Sequence, residues 1–304
     1  YMSMNNIINS YSNNIVLPKN HNSLASYRHI RTSPAVNDVF FSGYNKTFKL
    51  SRAKSIKDIP KDANIFLFDS KNKLTIPPEQ QIKECIITDK ELGFWKKMTI
   101  GEEGNVMKLK NNTVEYAHGD ITDKGRTCAL IEADNSKIKQ IEGVESINLK
   151  NNSNADYIDN VGYLNAYDSN IGVANVEHGI HLNGNCNADK LNAKYSVTIT
   201  PGDTVNKATG TWVACKGDIN MPEKYSIIDK IEASEGAEIT QAKVTGKAKT
   251  KDIIVDNAIA NEIEADYALS FNNSVVENLK LANVNKMTDS KINKFDLRFA
   301  NNGV

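Results

Sequence analysis

Ile171-Gly172-Val173-Ala174-Asn175-Val176-Glu177-His178-Gly179-Ile180-His181-Leu182 carries apolar residues at 171, 174, 176, 180 and 182. Seventeen residues on, Ala188, Leu191, Ala193, Val197 and Ile199 repeat the same spacings of three, two, four and two. The pairs Ile180/Leu182 and Val197/Ile199 alternate as a half-buried strand does, with both members on one face. A unit this short leaves no room for two helices and two turns. It reads instead as one coil of a parallel β-solenoid, a structure that buries its apolar face only by stacking.

The step extends in both directions. Ile239, Val255, Phe271 and Met287 are sixteen residues apart at each step, as are Ile263, Leu279 and Phe295, and Ala265, Leu281 and Leu297. Upstream, Leu149, Ala166, Leu182 and Ile199 follow at seventeen, sixteen and seventeen. Ile228, Ile231, Ala233, Ala237 and Ile239 form another copy, as do Ile259, Ile263, Ala265, Leu269 and Phe271 with a one-residue adjustment. Val205, Ala208, Gly210, Val213 and Cys215 are a weaker one. Coil starts at Ile138, Ala155, Ile171, Ala188, Val205, Ile228, Val244, Ile259, Val276 and Ile292 predict about ten coils. Weaker coils are expected before Ile138. At roughly 4.8 Å per coil these ten form a rod on the order of 48 Å long, right-handed as parallel crossovers favour. Residues 217–225 interrupt the step and are expected to leave the wall as a loop.

The links are rich in Asn, Asp and Ser: Asp134-Asn135-Ser136, Asn151-Asn152-Ser153, Asp168-Ser169-Asn170, Asn272-Asn273-Ser274 and Asp289-Ser290. Their short side chains bond neighbouring backbone and tolerate left-handed corners. Stacked at one corner, Asn side chains can also bond from coil to coil. The 39 asparagines among 304 residues therefore have a structural explanation.

The fold class is all-β, a parallel β-solenoid of about 16–17 residues per coil with a small mixed N-terminal domain or cap. Residues 1–26, rich in Asn and Ser, read as a disordered or secretion-type segment. Residues 27–98 read as a small mixed α/β or β cap, with short strands at Val39-Phe40-Phe41, Ile65-Phe66-Leu67-Phe68 and Cys85-Ile86-Ile87 and with Phe94 and Trp95 as anchors. Residues 99–304 are assigned to the solenoid. Tyr1 precedes Met2, which suggests a processed or excerpted chain. No capping helix is legible after Phe295 and Leu297, so the C-terminal coil is expected to be covered by a missing domain or a second molecule.

A coil of this length resembles the compact β-solenoids of bactofilin-like polymer-forming proteins and of some bacterial surface or injected proteins. It lacks the five-residue beat of pentapeptide repeats, the larger coils of pectate lyases and the Gly/Asp nonapeptides of calcium-binding toxins. The likeness is one of architecture and carries no residue role.

The 37 basic and 37 acidic side chains cancel, which removes the electrostatic case for a nucleic-acid partner or a polybasic membrane contact. No apolar run is long enough for a membrane-spanning helix. Four cysteines (Cys85, Cys128, Cys186 and Cys215) lack metal or disulfide-scaffold spacing. Glu177, His178 and His181 form the most suggestive cluster, a carboxylate beside two imidazoles that could bind a metal or move protons. Two imidazoles make an incomplete ligand set, and surface histidines are the plainer reading. His118 and Asp120 resemble an acid/base pair only by proximity. Cys186 sits at a corner and Cys215 in a core column, so neither reads as a catalytic thiol. Gly101-Glu102-Glu103-Gly104 lacks the lysine of a phosphate loop. Outward Lys137, Lys139, Asp156, Asp159, Lys190, Asp229, Lys247 and Asp252 read as a solvated wall.

No catalytic residue, metal or cofactor is assigned. The expected function is a non-enzymatic binding or scaffold region of a bacterial secreted, injected-effector or surface protein, meeting a protein or glycan partner on the solenoid face. A carbohydrate-active β-helix lyase or hydrolase and a self-assembling structural polymer are the alternatives. The expected location is secreted or cell-surface, with the cytoplasm left open.

Overall fold

Two parallel ladders run side by side, and from Asn105 onward the described chain crosses from one to the other in each coil. The computed structural model describes residues 45–69, 75–88, 105–120, 126–218, 220–221 and 223–297, all within one compact unit, Gly43–Val304. The first ladder runs from Thr47–Lys49 through Ile65–Phe68, Gln81–Ile87, Thr113–Gly119 and Lys137–Glu142 into the leading halves of the long strands beginning at Asn154 and Asn170. The second begins at Asn105–Lys110 and passes through Thr127–Asp134 and Val144–Lys150 into the trailing halves of the same long strands. Together they form a β-solenoid of about 13 turns with about 17 residues per coil.

Two of the inward columns show how the core is built. One is continuous from Phe66 through Cys85, Ala117, Ile141, Ile158, Ala174, Leu191, Ala208, Ile231, Ala248, Ile263 and Leu279 to Phe295. From Ile158 to Ile263 large and small side chains alternate, which keeps the interior evenly filled. The other column passes through Leu109, Ala133, Leu149, Ala166 and Leu182, then through Ile199, Cys215, Ile239, Val255, Phe271 and Met287. The two sets of closing residues recognised separately in the sequence are thus one stack, joined through Cys215.

The corners explain the asparagines. Asn111, Asn135, Asn151, Asp168, Asn257, Asn273 and Asp289 all have φ between 44° and 53°, the left-handed region that these side chains tolerate. Beside them runs a buried column of small polar residues. Ser153 Oγ accepts the Ser136 amide at 3.2 Å, Ser274 Oγ accepts that of Ala258 at 3.0 Å, and Ser290 Oγ accepts that of Ser274 at 3.2 Å. Outside, amide ladders form: Asn170 Nδ2 donates to Asn154 Oδ1 at 2.7 Å, and Asn187 Nδ2 to Asn170 Oδ1 at 3.1 Å.

Four residues expected in the core are not buried. Ile259 and Leu269 do not face inward and are 46% and 39% exposed. Ala260 takes the first column, pairing with Val244 and Val276 at regular sixteen-residue steps, and Ala268 takes the second, because the pairing slips by one residue between Ile253 and Ile254. Met287 and Phe295 lie in inward columns yet are 37% and 50% exposed, since they belong to the last described coils and no described rung covers them. Within 27–98, the described strands pair into the first ladder, and Leu50, Ile59, Phe66, Phe68 and Ile76 join the same continuous core. Residues 1–26, Val39-Phe40-Phe41, Phe94, Trp95 and Gly101–Gly104 lie outside the described residues. The segment after Lys216 leaves the wall as expected: Met221 and Lys224 close turns within it, and Gln241 Nε2 donates to the Met221 carbonyl at 3.2 Å.

Candidate functional site

The two ladders meet at a bend, and the bend changes its construction between neighbouring coils. In the coil from Asn154, the extra residue precedes the crossing: Asn160, at φ 50°, is inserted before Val161, and Gly162 alone links Val161 to Tyr163. In the next coil the extra residue follows: Asn175 leads directly to Val176, and both Glu177 and His178 intervene before Gly179. Such displaced bulges disrupt local stacking and re-aim side chains. The mismatch leaves an open recess of about 370 Å³ lined by Asp159, Asn160, Asn175, Val176, Glu177, Asn192, Ala193 and Lys194.

The recess has a polar wall and an apolar floor. Val176 and Ala193 are buried beneath it. Asn192 Nδ2 donates to Asn175 Oδ1 at 2.8 Å, and Asn175 Nδ2 donates in turn to Asp159 Oδ1 at 3.1 Å. This chain of bonds fixes each amide's orientation, leaving Asn192 Oδ1 and the second oxygen of Asp159 as acceptors beyond it.

On the far side of the bend lies an aromatic stack. His178 sits between Tyr163 and Tyr195, with ring centroids 4.9 Å and 5.9 Å away and interplanar angles of 35° and 13°. Backbone bonds hold the rings one per coil: the Tyr195 amide donates to the His178 carbonyl at 3.2 Å, and the Trp212 amide to the Tyr195 carbonyl at 2.8 Å. Arg126 Nη2 stands 3.4 Å from His178 Nε2, while its Nε donates to Glu145 Oε2 at 3.2 Å. Lys194 joins the two halves of the site. It lines the recess, and its ammonium lies 5.4 Å from the centre of the Tyr195 ring. Trp212 extends the ledge by lying over Gly236, where an added Cβ would stand 1.9 Å from the indole ring.

The three residues singled out in the sequence are therefore sent to three places. Glu177 lines the recess, His178 is held in the stack, and His181 is exposed on the outer wall between Asn165 and Thr198. They do not converge on one point. Among the described residues, no group of three or more His, Cys, Asp or Glu is placed to hold a metal ion.

The remaining candidates resolve into structure. His118 pairs not with Asp120 but with Glu84 of the neighbouring coil, Nε2 to Oε1 at 2.9 Å, and this bond holds the Glu84 carboxyl below its usual value. Tyr116 stacks on His118 at 4.3 Å and donates to Glu142 at 2.8 Å; burial, with that bond, pushes its phenol up. Burial likewise lifts the thiols of Cys186 and Cys215 to about 11 and about 12, so neither supplies thiolate at neutral pH. Lys190, Lys207, Lys230 and Lys247 stack in one outward column. Lys207 is paired with Glu232 at 2.7 Å, and Lys247 with Glu262 at 3.0 Å and Glu264 at 2.5 Å. These carboxylates neutralise two of the four lysines, which disfavours a long polyanion on this column.

Tyr163, Tyr195, Arg126, Asn175, Asn192 and Lys194 were not singled out in the sequence. Their signal was present in the outward positions: His178 and Tyr195, and likewise Asn175 and Asn192, stand one seventeen-residue step apart. No protein family, curated protein or solved structure matches the chain.

Proposed function

We propose that this solenoid is a non-enzymatic binding or scaffold region of a bacterial secreted, injected-effector or surface protein, and that its bend meets a protein or glycan partner. The observation that carries the reading is the juxtaposition at the bend of a polar recess and exposed tyrosines. Tyr163 and Tyr195 are 39% and 52% exposed, and Tyr157 and Tyr167, on the same coil as Tyr163, are exposed as well. Tyrosine is enriched at contact surfaces because it offers large area with few rotatable bonds and a polar tip. The bland wall elsewhere supports a scaffold that holds this edge rigidly. Composition and coil length support the bacterial and secreted assignment.

The exposure of Met287 and Phe295 supports a second contact at the last described coils, with a further part of the protein or a second copy as cover. End-to-end polymerisation is the related second reading, and electron micrographs of concentrated protein would show filaments if it holds.

Protein and glycan arrays probed with the whole chain, and with a Tyr195→Ala/Glu177→Ala double variant of unchanged circular dichroism, test the main reading. A ligand captured by the parent and lost by the variant is expected. Equal capture by both, or capture by neither, would overturn it.

A further inference from the structure

We infer that the recess at the bend is a binding site for a neutral carbohydrate, taking one or two sugar rings of an uncharged glycan. This rests on the binding reading above and narrows it to one ligand chemistry. The case is made by the shape and the lining together.

The recess is open and about 370 Å³ in volume, near the small end of the range for ligand sites. An open, shallow site suits a ring bound edgewise with one face in water better than a molecule that must be enclosed. Its polar groups are of the kind that hydroxyl groups satisfy. Asp159 and Glu177 offer carboxylate acceptors, Asn192 offers an amide acceptor fixed by its bond to Asn175, and Lys194 offers a donor. A sugar hydroxyl donates and accepts at once, so a vicinal pair can bridge a carboxylate and an ammonium. The apolar floor of Val176 and Ala193 suits the C–H face of a ring.

Charge narrows the class. The lining holds two carboxylates against one ammonium, a balance that repels uronates, sialylated chains and phosphosugars. The aromatic stack has a different part. His178 is sandwiched between Tyr163 and Tyr195, so its own ring faces are taken. The stack is a rim beside the recess, with Tyr195 against the Lys194 ammonium, and sugar stacking on it is not required. The amides are also pre-positioned: Asn175 is held on one side by Asp159 and on the other by Asn192, so little side-chain ordering remains to oppose binding.

The test uses the whole chain and a panel of soluble probes: cellotetraose, maltotetraose and chitotetraose as neutral glycans, and tetragalacturonate as an anionic one. Saturation-transfer NMR and calorimetry should show at least one neutral probe binding, and tetragalacturonate binding at least tenfold more weakly or not at all. Glu177→Gln and Asn175→Ala should each weaken the neutral probe at least tenfold, while Asn148→Ala on the outer wall leaves it unchanged. Neutral binding that survives both recess variants would overturn the site. Preference for tetragalacturonate would overturn the ligand class. If no tetrasaccharide binds at millimolar concentration but array proteins are still captured through Tyr195 and Glu177, the carbohydrate inference fails and the binding reading stands. If neither is seen, both fail.

Discussion

Asp203 stands in the buried corner column where other coils place serine, and its Oδ1 accepts the backbone amide of Cys186, one coil away, at 2.9 Å. Its other oxygen accepts the amide of Thr200 at 2.8 Å. The side chain is fully buried, and burial outweighs these bonds, lifting the carboxyl from 3.8 to about 6. The folded protein therefore holds this proton more tightly than the unfolded chain. Its contribution to stability is fully present below about pH 3.8 and is lost as pH rises through about 6.

The gap between 3.8 and about 6 corresponds to about 3 kcal/mol. Denaturant unfolding of the parent and of Asp203→Asn at pH 4 and pH 7 should show it directly. The variant should gain on the parent by an amount of that order between the two pH values. Parallel pH profiles would show that Asp203 is ionised in the fold at no cost.

Ile263 and Leu269 test the register. Ile263 is fully buried in the column between Ala248 and Leu279, whereas Leu269 faces out. Ile263→Ala should cost about 2–5 kcal/mol, and Ile263→Asp several kcal/mol or the fold itself. Leu269→Ser should fall within about 0.5 kcal/mol of the parent. Equal costs at the two positions, read by thermal or urea unfolding, would refute the one-residue slip.

Gly236→Ala places a methyl group against the Trp212 ring, which must move. Destabilisation of about 1–3 kcal/mol is expected for such overpacking, together with a shift in tryptophan emission. Unchanged emission and stability would mean that the indole does not lie over Gly236.

Cys85, Cys186 and Cys215 are buried while Cys128 is partly exposed, and none of the four forms a disulfide. Native protein treated with a thiol reagent near pH 7.5 should modify Cys128 first and the other three only on the timescale of unfolding. Rapid labelling of Cys186 or Cys215 would contradict their burial.

The inward half of each coil was legible because apolar period and burial follow one rule. Ile171, Ala174, Val176, Ile180 and Leu182 are all buried where their spacing placed them. The rule failed where two adjacent residues both suited the core. At Ile259-Ala260 and Ala268-Leu269 the larger residue was the natural choice, yet the pairing register selected alanine. The recess was not legible because it comes from a bulge that moves from Asn160 to Glu177-His178 between coils, a change that leaves the apolar spacing almost untouched. The aromatic stack was hidden for another reason: Tyr163, His178 and Tyr195 are neighbours in space only through the coil step, and no local motif joins them.

The alternation of Ile158, Ala174, Leu191, Ala208, Ile231, Ala248 and Ile263 in one inward column bears on how such a rod can grow. Copying a single coil would set alanine on alanine, leaving a void, or two large branched side chains on each other, crowding the interior. Copying two coils preserves the sequence of large and small at both junctions. The side-chain period of this column is therefore a pair of coils, while the neighbouring stack of Ile239, Val255 and Phe271 keeps large residues in successive coils.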